Sequence, residues 1–202
     1  MTVKDGLTDK LGSSPEARKG ADALLSRLFP SRKIRRVLLV SPPDADVALF
    51  RPDTARRGRY SNYPPYGMAV IAQHLKSEGL SVRISNLNNE VLKGCIETPA
   101  GGDFDFDSVW GSKLDGDISS FQPDLICVTC MFTMTHTSFK EVCARAASSG
   151  VPLAIGGVHV TNDVERVLDD LPEVAVAFVR EGDLAVKRFV QVVNCDREID
   201  GL

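Results

Sequence analysis

Five cysteines, three histidines and a glycine pair that ends an apolar run are the residues of this 202-residue chain that first suggest chemistry. The cysteines fall at 95, 127, 130, 143 and 195, an odd and scattered set that does not make a disulfide framework. Cys127 and Cys130 form C-x-x-C, the spacing of a metal or redox pair, but they sit within the apolar run 125–130. On a strand, residues three apart point to opposite faces, so both read as small buried side chains. The glycine pair is Gly156-Gly157 in "VPLAIGGVHVTND", at the end of a short apolar run and two residues before His159. Such a pair is either a plain tight turn or a place where a bulky group passes along the backbone and any Cβ would collide. His159 caps the turn or touches what binds there. His136, in the Thr- and Met-rich stretch "TCMFTMTHT", is a loop-tip residue or faces the same ligand, and His74 has no assigned role.

The elements that position these residues follow from periodicity. Val37 to Val40, Leu125 to Val128, Leu153 to Ile155 and Val174 to Val179 are short apolar runs bounded by turn residues, and Val82, Ile84 and Leu87 suggest one more strand. Between them, Met68, Ile71, Ala72 and Leu75 repeat at helical spacing, as do Trp110, Leu114, Ile118 and Phe121. Ser138 to Glu141 has the pattern of a capping box ahead of Val142 and Ala146. Val164 to Leu171 and Leu184 to Val193 complete the helices, while residues 43–62 and 88–108 read as loops. Five βα units in a row predict an α/β fold: a doubly wound, five-stranded parallel sheet flanked by helices, Rossmann- or flavodoxin-like. Residues 1–33 read as a flexible leader with a short amphipathic helix at Leu24, Leu25 and Leu28, and residues 34–202 as the domain proper.

In such a sheet ligands bind beyond the carboxyl ends of the strands. The informative stretches are therefore 41–44, 129–137, 156–163 and 180–183. They lack the G-x-G-x-x-G of a dinucleotide site and the P-loop pattern, and the third strand ends in Thr129-Cys130 rather than a phosphoacceptor aspartate. A net charge of −3 gives no basic footprint for nucleic acid. No run approaches the roughly 20 apolar residues of a membrane span. The N-terminus has no apolar signal core, so the expected compartment is cytoplasmic.

Four segments together resemble a known family. "YPPYGMAVIAQHLKSEGLSVRISN" (63–86), "PDLICVTCMFTMT" (123–135), "VPLAIGGVHVT" (151–161) and "VREGD" (179–183) stand in the order and spacing of the cobalamin-binding domain found N-terminal to many radical-SAM enzymes. The segments are also similar to the cobalamin domain of methionine synthase. The resemblance covers residues 34–202 and implies a corrinoid cofactor held by Pro43, Tyr66, Thr129, Met131, Thr133, Gly156, Gly157, His159, Glu181 and Gly182. It places the nucleotide tail of the cofactor at Gly156-Gly157, so that Gly157→Val is expected to keep the fold and lose the cofactor. The tail "REIDGL" looks like a linker into a radical-SAM barrel, a catalytic partner in cis or in trans.

The departures from the family pattern are informative. The D-x-H-x-x-G motif that supplies a cobalt ligand is absent: Asp44 is followed by Ala45 and Asp46, so no protein cobalt ligand is expected. The family's aspartate after the second strand is Asn86, and its GEGE turn reads Arg180-Glu181-Gly182-Asp183. The C-x-x-x-C-x-x-C motif is missing, so no iron–sulfur cluster and no catalytic residue is expected in this chain alone. Two alternatives remain open at this level: an interaction or sensory domain that kept the fold without the ligand, and an α/β domain for another cofactor such as a flavin.

Overall fold

The structure, a computed structural model, describes residues 2–3, 15–99 and 101–195. Its centre is β2 (Arg36–Ser41), a strand in which Val37, Leu38, Leu39 and Val40 are all essentially inaccessible. Burial on both faces is the state that an uninterrupted β-branched and Leu run satisfies. β2 pairs in parallel with β3 (Ser81–Asn86) on one side and β4 (Leu125–Thr129) on the other; β5 (Leu153–Gly156) and β6 (Val176–Ala177) continue the sheet in parallel. The five-stranded parallel sheet expected from the sequence is thus present, and its order, β6-β5-β4-β2-β3, is the flavodoxin-like one. A two-residue strand, β1 (Thr2–Val3), pairs antiparallel with β6 and adds a sixth strand that the sequence did not announce.

Alternate residues of each strand feed two apolar layers. Leu38, Val40, Ile126, Val128 and Ile155 face the layer covered by α4 (Leu87–Glu97), α5 (Phe106–Phe121), α6 (His136–Ala147) and α8 (Val164–Asp170). Val37, Leu39, Leu125 and Ala154 face the layer covered by α1 (Pro15–Leu28), α3 (Tyr66–Ser77) and α9 (Gly182–Val193). The leader's helix belongs to this second layer: Leu25 and Phe29 are buried in it, and Phe29 meets Phe189 edge to face with centroids 6.0 Å apart. Residues 4–14 and the "REIDGL" tail lie outside the described residues. At the amino end of the sheet, the Asn194 amide clasps Ile34. Its oxygen accepts from the Ile34 N–H at 2.7 Å, and its nitrogen donates to the Ile34 carbonyl at 3.1 Å.

Several local expectations are corrected. Residues 88–97 are not loop but helix α4, capped where the Asn86 side chain accepts from the Asn89 N–H at 3.0 Å. Leu87, read as strand, opens that helix, and Val91, Leu92 and Cys95 carry its buried stripe. The Arg-rich loop contains a one-turn helix, α2 (Pro52–Arg56), which buries Ala55. Ser138 does not cap α6: the helix begins at His136, after a 3-10 turn at Thr133–Thr135. The Ser138 N–H donates instead to the Asp46 carboxylate at 2.9 Å, across 92 residues of sequence. The ladder of β6 is shorter than the apolar run 174–179, and the five-residue helix α7 (Val158–Asn162) follows Gly157 directly.

Candidate functional site

The chain order reverses between β2 and β4: β3 lies on one side of β2, and β4 returns to the other. At that switch point the two carboxyl ends splay apart and leave a cleft. A shallow, solvent-open cleft is lined there by Ser41, Pro42, Pro43 and Asp44 after β2, and by Thr129, Cys130, Met131 and Thr135 after β4. Three expected site residues, Pro43, Thr129 and Met131, therefore share one wall-to-wall opening. The Asp44 side chain stands at its lip, its backbone N–H held by the Asn88 side chain at 3.0 Å, and the surrounding protein raises its carboxyl above the ordinary aspartate value. Asp46, which stands where the related motif has its histidine, is turned away to α6 by its bond to Ser138.

One strand further, Thr129 pairs with Gly156. The Cys130 N–H donates to the Gly156 carbonyl at 2.9 Å, and the His159 N–H donates to the Cys130 carbonyl at 3.1 Å. This lacing brings the β4 backbone against Gly157. A Cβ on Gly157 would lie 2.9 Å from the Cys130 nitrogen and closer still to its carbonyl oxygen, and the residue has φ +107°. Gly157 is thus required by the chain's own packing, and the expectation that Gly157→Val would keep the fold is corrected. Gly156 differs: a Cβ there would meet only Phe178, at 3.5 and 3.6 Å, which is ordinary contact.

Thr133 and His159 are joined directly. The imidazole of His159, 6% exposed, places Nδ1 3.1 Å from the Thr133 Oγ1 and Nε2 2.9 Å from Nδ1 of His136. Nε2 of His136 lies 3.2 Å from the Asp170 carboxylate. Burial, followed by the neighbouring His136, pushes the His159 pKa below the usual histidine value, so its neutral form is favoured. No sequence spacing announces this row, since its members come from the 3-10 turn, α6, α7 and α8.

The remaining expected residues stand apart from the cleft lining. Tyr66 opens α3 and is 79% exposed, and Glu181 and Gly182 open α9, where Gly182 lies against Ile71 of α3. Arg180, in place of the family's glycine, keeps the left-handed backbone a glycine would take, φ +68°, and its N–H donates to Thr161 Oγ1 at 2.9 Å. The two close cysteines point into different layers, as the strand geometry required. Burial pushes the thiol of Cys127 up to about 12 and that of Cys130 up to about 11, which keeps both protonated and unreactive near neutral pH. Among the described residues no helix is long and apolar enough to cross a membrane.

A parallel sheet in this order, with its cleft at the switch point and glycines after the next strand, defines an α/β ligand-binding domain. The chain belongs to the B12-binding domain family, whose model matches residues 54–190. It is 23% identical, over 171 residues, to a Pyrococcus horikoshii protein described as an uncharacterized methyltransferase. That alignment takes in 84% of this chain and 32% of the relative, so the chain spans about a third of that protein's length.

Proposed function

We propose that the chain is a cobalamin-binding module that presents its cofactor to a catalytic domain in cis or in trans, of the radical-SAM kind. One observation supports the binding face above all. Among the described residues, the large apolar side chains left exposed are Val47, Leu49, Tyr63, Tyr66, Met131, Phe132, Met134, Val158 and Leu184, with Ile96 the single one elsewhere. The nine belong to the segments that follow β2, β4, β5 and β6 at the carboxyl end of the sheet. A monomeric domain does not usually gather exposed apolar groups in one place without something to cover them.

The residues present fit a corrinoid. Met131, Phe132, Met134 and Val158 offer soft and apolar cover for a macrocycle, and Thr129 and Thr133 supply hydroxyls for its carboxamides. Gly156 leaves room along the end of β5. Bound cobalamin supplies a cobalt centre able to carry a methyl group or to join one-electron chemistry. The chain's own residues bind and orient it and exclude water from one of its faces. Both ring nitrogens of His136 and of His159 already have protein partners, which favours a cofactor without a protein imidazole on cobalt. The methyltransferase description of the longer relative supports methyl transfer as the activity the module serves.

Titration of the purified chain with hydroxocobalamin, followed by corrinoid absorbance and by gel filtration, tests the proposal. The expected result is one bound corrinoid per chain, weakened by Met131→Glu. A chain that ignores cobalamin but takes up a flavin, or takes up neither, would overturn it in favour of another cofactor or of an interaction domain.

A further inference from the structure

The row Asp170–His136–His159–Thr133 runs from a half-exposed carboxylate to an exposed hydroxyl on the carboxyl-end turn. Its hydrogen-bond directions are fixed by elimination. A carboxylate only accepts, so Nε2–H of His136 donates to Asp170. The Nδ1 of a neutral His136 must then accept, and Nε2–H of His159 donates to it. The Nδ1 of His159 must accept in turn, and its partner is the Thr133 hydroxyl. Three protons serve three bonds, no donor within the row is left over, and the acceptor capacity facing the ligand side is that of the Thr133 oxygen.

We propose that Asp170, His136 and His159 are positioning residues that set the polarity of the Thr133 hydroxyl, so that Thr133 offers its free lone pairs to an N–H donor of the bound ligand. The proposal rests on the cobalamin reading only for the identity of that donor, a carboxamide of the corrin rim. The geometry carries a second consequence. One proton taken up from solvent by the histidine pair leaves a proton on Nδ1 of His159. Thr133 must then accept from His159 and turn its own O–H outward, so the hydroxyl gives up one of the two lone pairs it offered the ligand and presents a hydrogen in its place. The charged and titratable groups around His159 are His136 on α6, Asp163 before α8 and Arg166 on α8, with Asp170 facing His136 from the end of α8. Asp163 and Arg166 pair with each other at 3.9 Å, which leaves Asp170 as the carboxylate bonded to the row.

Two measurements on the same proteins test this. Imidazole nitrogen NMR of the ligand-free chain is expected to show both histidines as Nε2–H tautomers at mildly alkaline pH, and Asp170→Asn to lower the pH at which the hydrogen-bonded pair takes up its proton. Hydroxocobalamin affinity is expected to drop about fivefold as the pair gains its proton, the effect of one neutral hydrogen bond. Asp170→Asn should move that step together with the NMR midpoint. Thr133→Ala should abolish the step, and Thr133→Ser should restore it. An Nδ1–H tautomer for either histidine, or a midpoint indifferent to Asp170→Asn, would overturn the relay. A step that survives Thr133→Ala would overturn the role of Thr133. If wild type binds no cobalamin at any pH while the tautomers are as expected, the cobalamin reading fails and the relay stands on its own NMR evidence.

Discussion

Gly156 and Gly157 are neighbours with opposite tolerances. Any side chain on Gly157 must both occupy φ +107° and displace the Cys130 backbone. Gly157→Ala is therefore expected to cost ~2 kcal/mol or more in urea denaturation, the scale of backbone strain at such positions. Gly156→Ala should stay within about 1 kcal/mol of wild type, because its Cβ meets only ordinary contacts. A bulkier Gly156→Val then reports on the ligand path: cobalamin affinity should fall while the unfolding midpoint changes little, and unchanged affinity would remove the tail from the end of β5. His159 gives a pH prediction of its own. Its folded pKa is lowered, chiefly by burial, so the unfolded chain binds the proton more readily. Its contribution to stability is complete above the ordinary histidine value of about 6.5 and is lost as pH falls from there towards the folded pKa. Thermal melts across that range should show a steeper acid-side decline for wild type than for His159→Gln, and identical slopes would contradict the assignment.

At the scale of elements, α6 shows how distant residues complete a helix end. Its first turn has no local cap, and the Asp46 carboxylate takes the Ser138 N–H in place of one. Asp46→Ala should destabilise the domain by about 1 kcal/mol, the usual cost of a lost cap, and Asp46→Asn should recover most of it. Denaturation curves that superimpose for Asp46→Ala and wild type would deny the cap. The same bond shows where sequence reading stops. β2, β4 and β5 were legible because their runs are buried on both faces, and α3 because Met68, Ala72 and Leu75 keep one stripe. α4 was not read, since its Asn-rich start and Gly94 resemble loop composition, although Leu87, Val91, Leu92 and Cys95 carry helical spacing and Asn86 is a cap residue. The stretches 41–44 and 129–137 that line the cleft followed from topology, because switch points are set by strand order, and the family resemblance singled out Pro43, Thr129 and Met131 within them. Asp170 and the direction of the histidine row did not, because pairing across 23 and 34 residues leaves no local signature.

For the whole molecule, the positions of all three histidines bear on how a corrinoid would be ligated under the proposed function. His136 and His159 are engaged on both nitrogens, and His74 lies on α3 with Asp183 4.0 Å away. The Co(II) form of a bound corrinoid is expected to give an electron paramagnetic resonance spectrum without superhyperfine splitting from a protein imidazole. Splitting that disappears in His136→Gln or His159→Gln would show that the row opens to release a ligand. The Asn194 clasp on Ile34 has a further bearing on how the domain is carried. It joins the chain's way into β2 to its way out of α9 at the foot of the sheet, across 160 residues and on the side away from the apolar rim. The entry to the first buried strand and the exit of the last helix therefore share one anchorage at the foot of the sheet, which leaves the carboxyl-end face unencumbered by either.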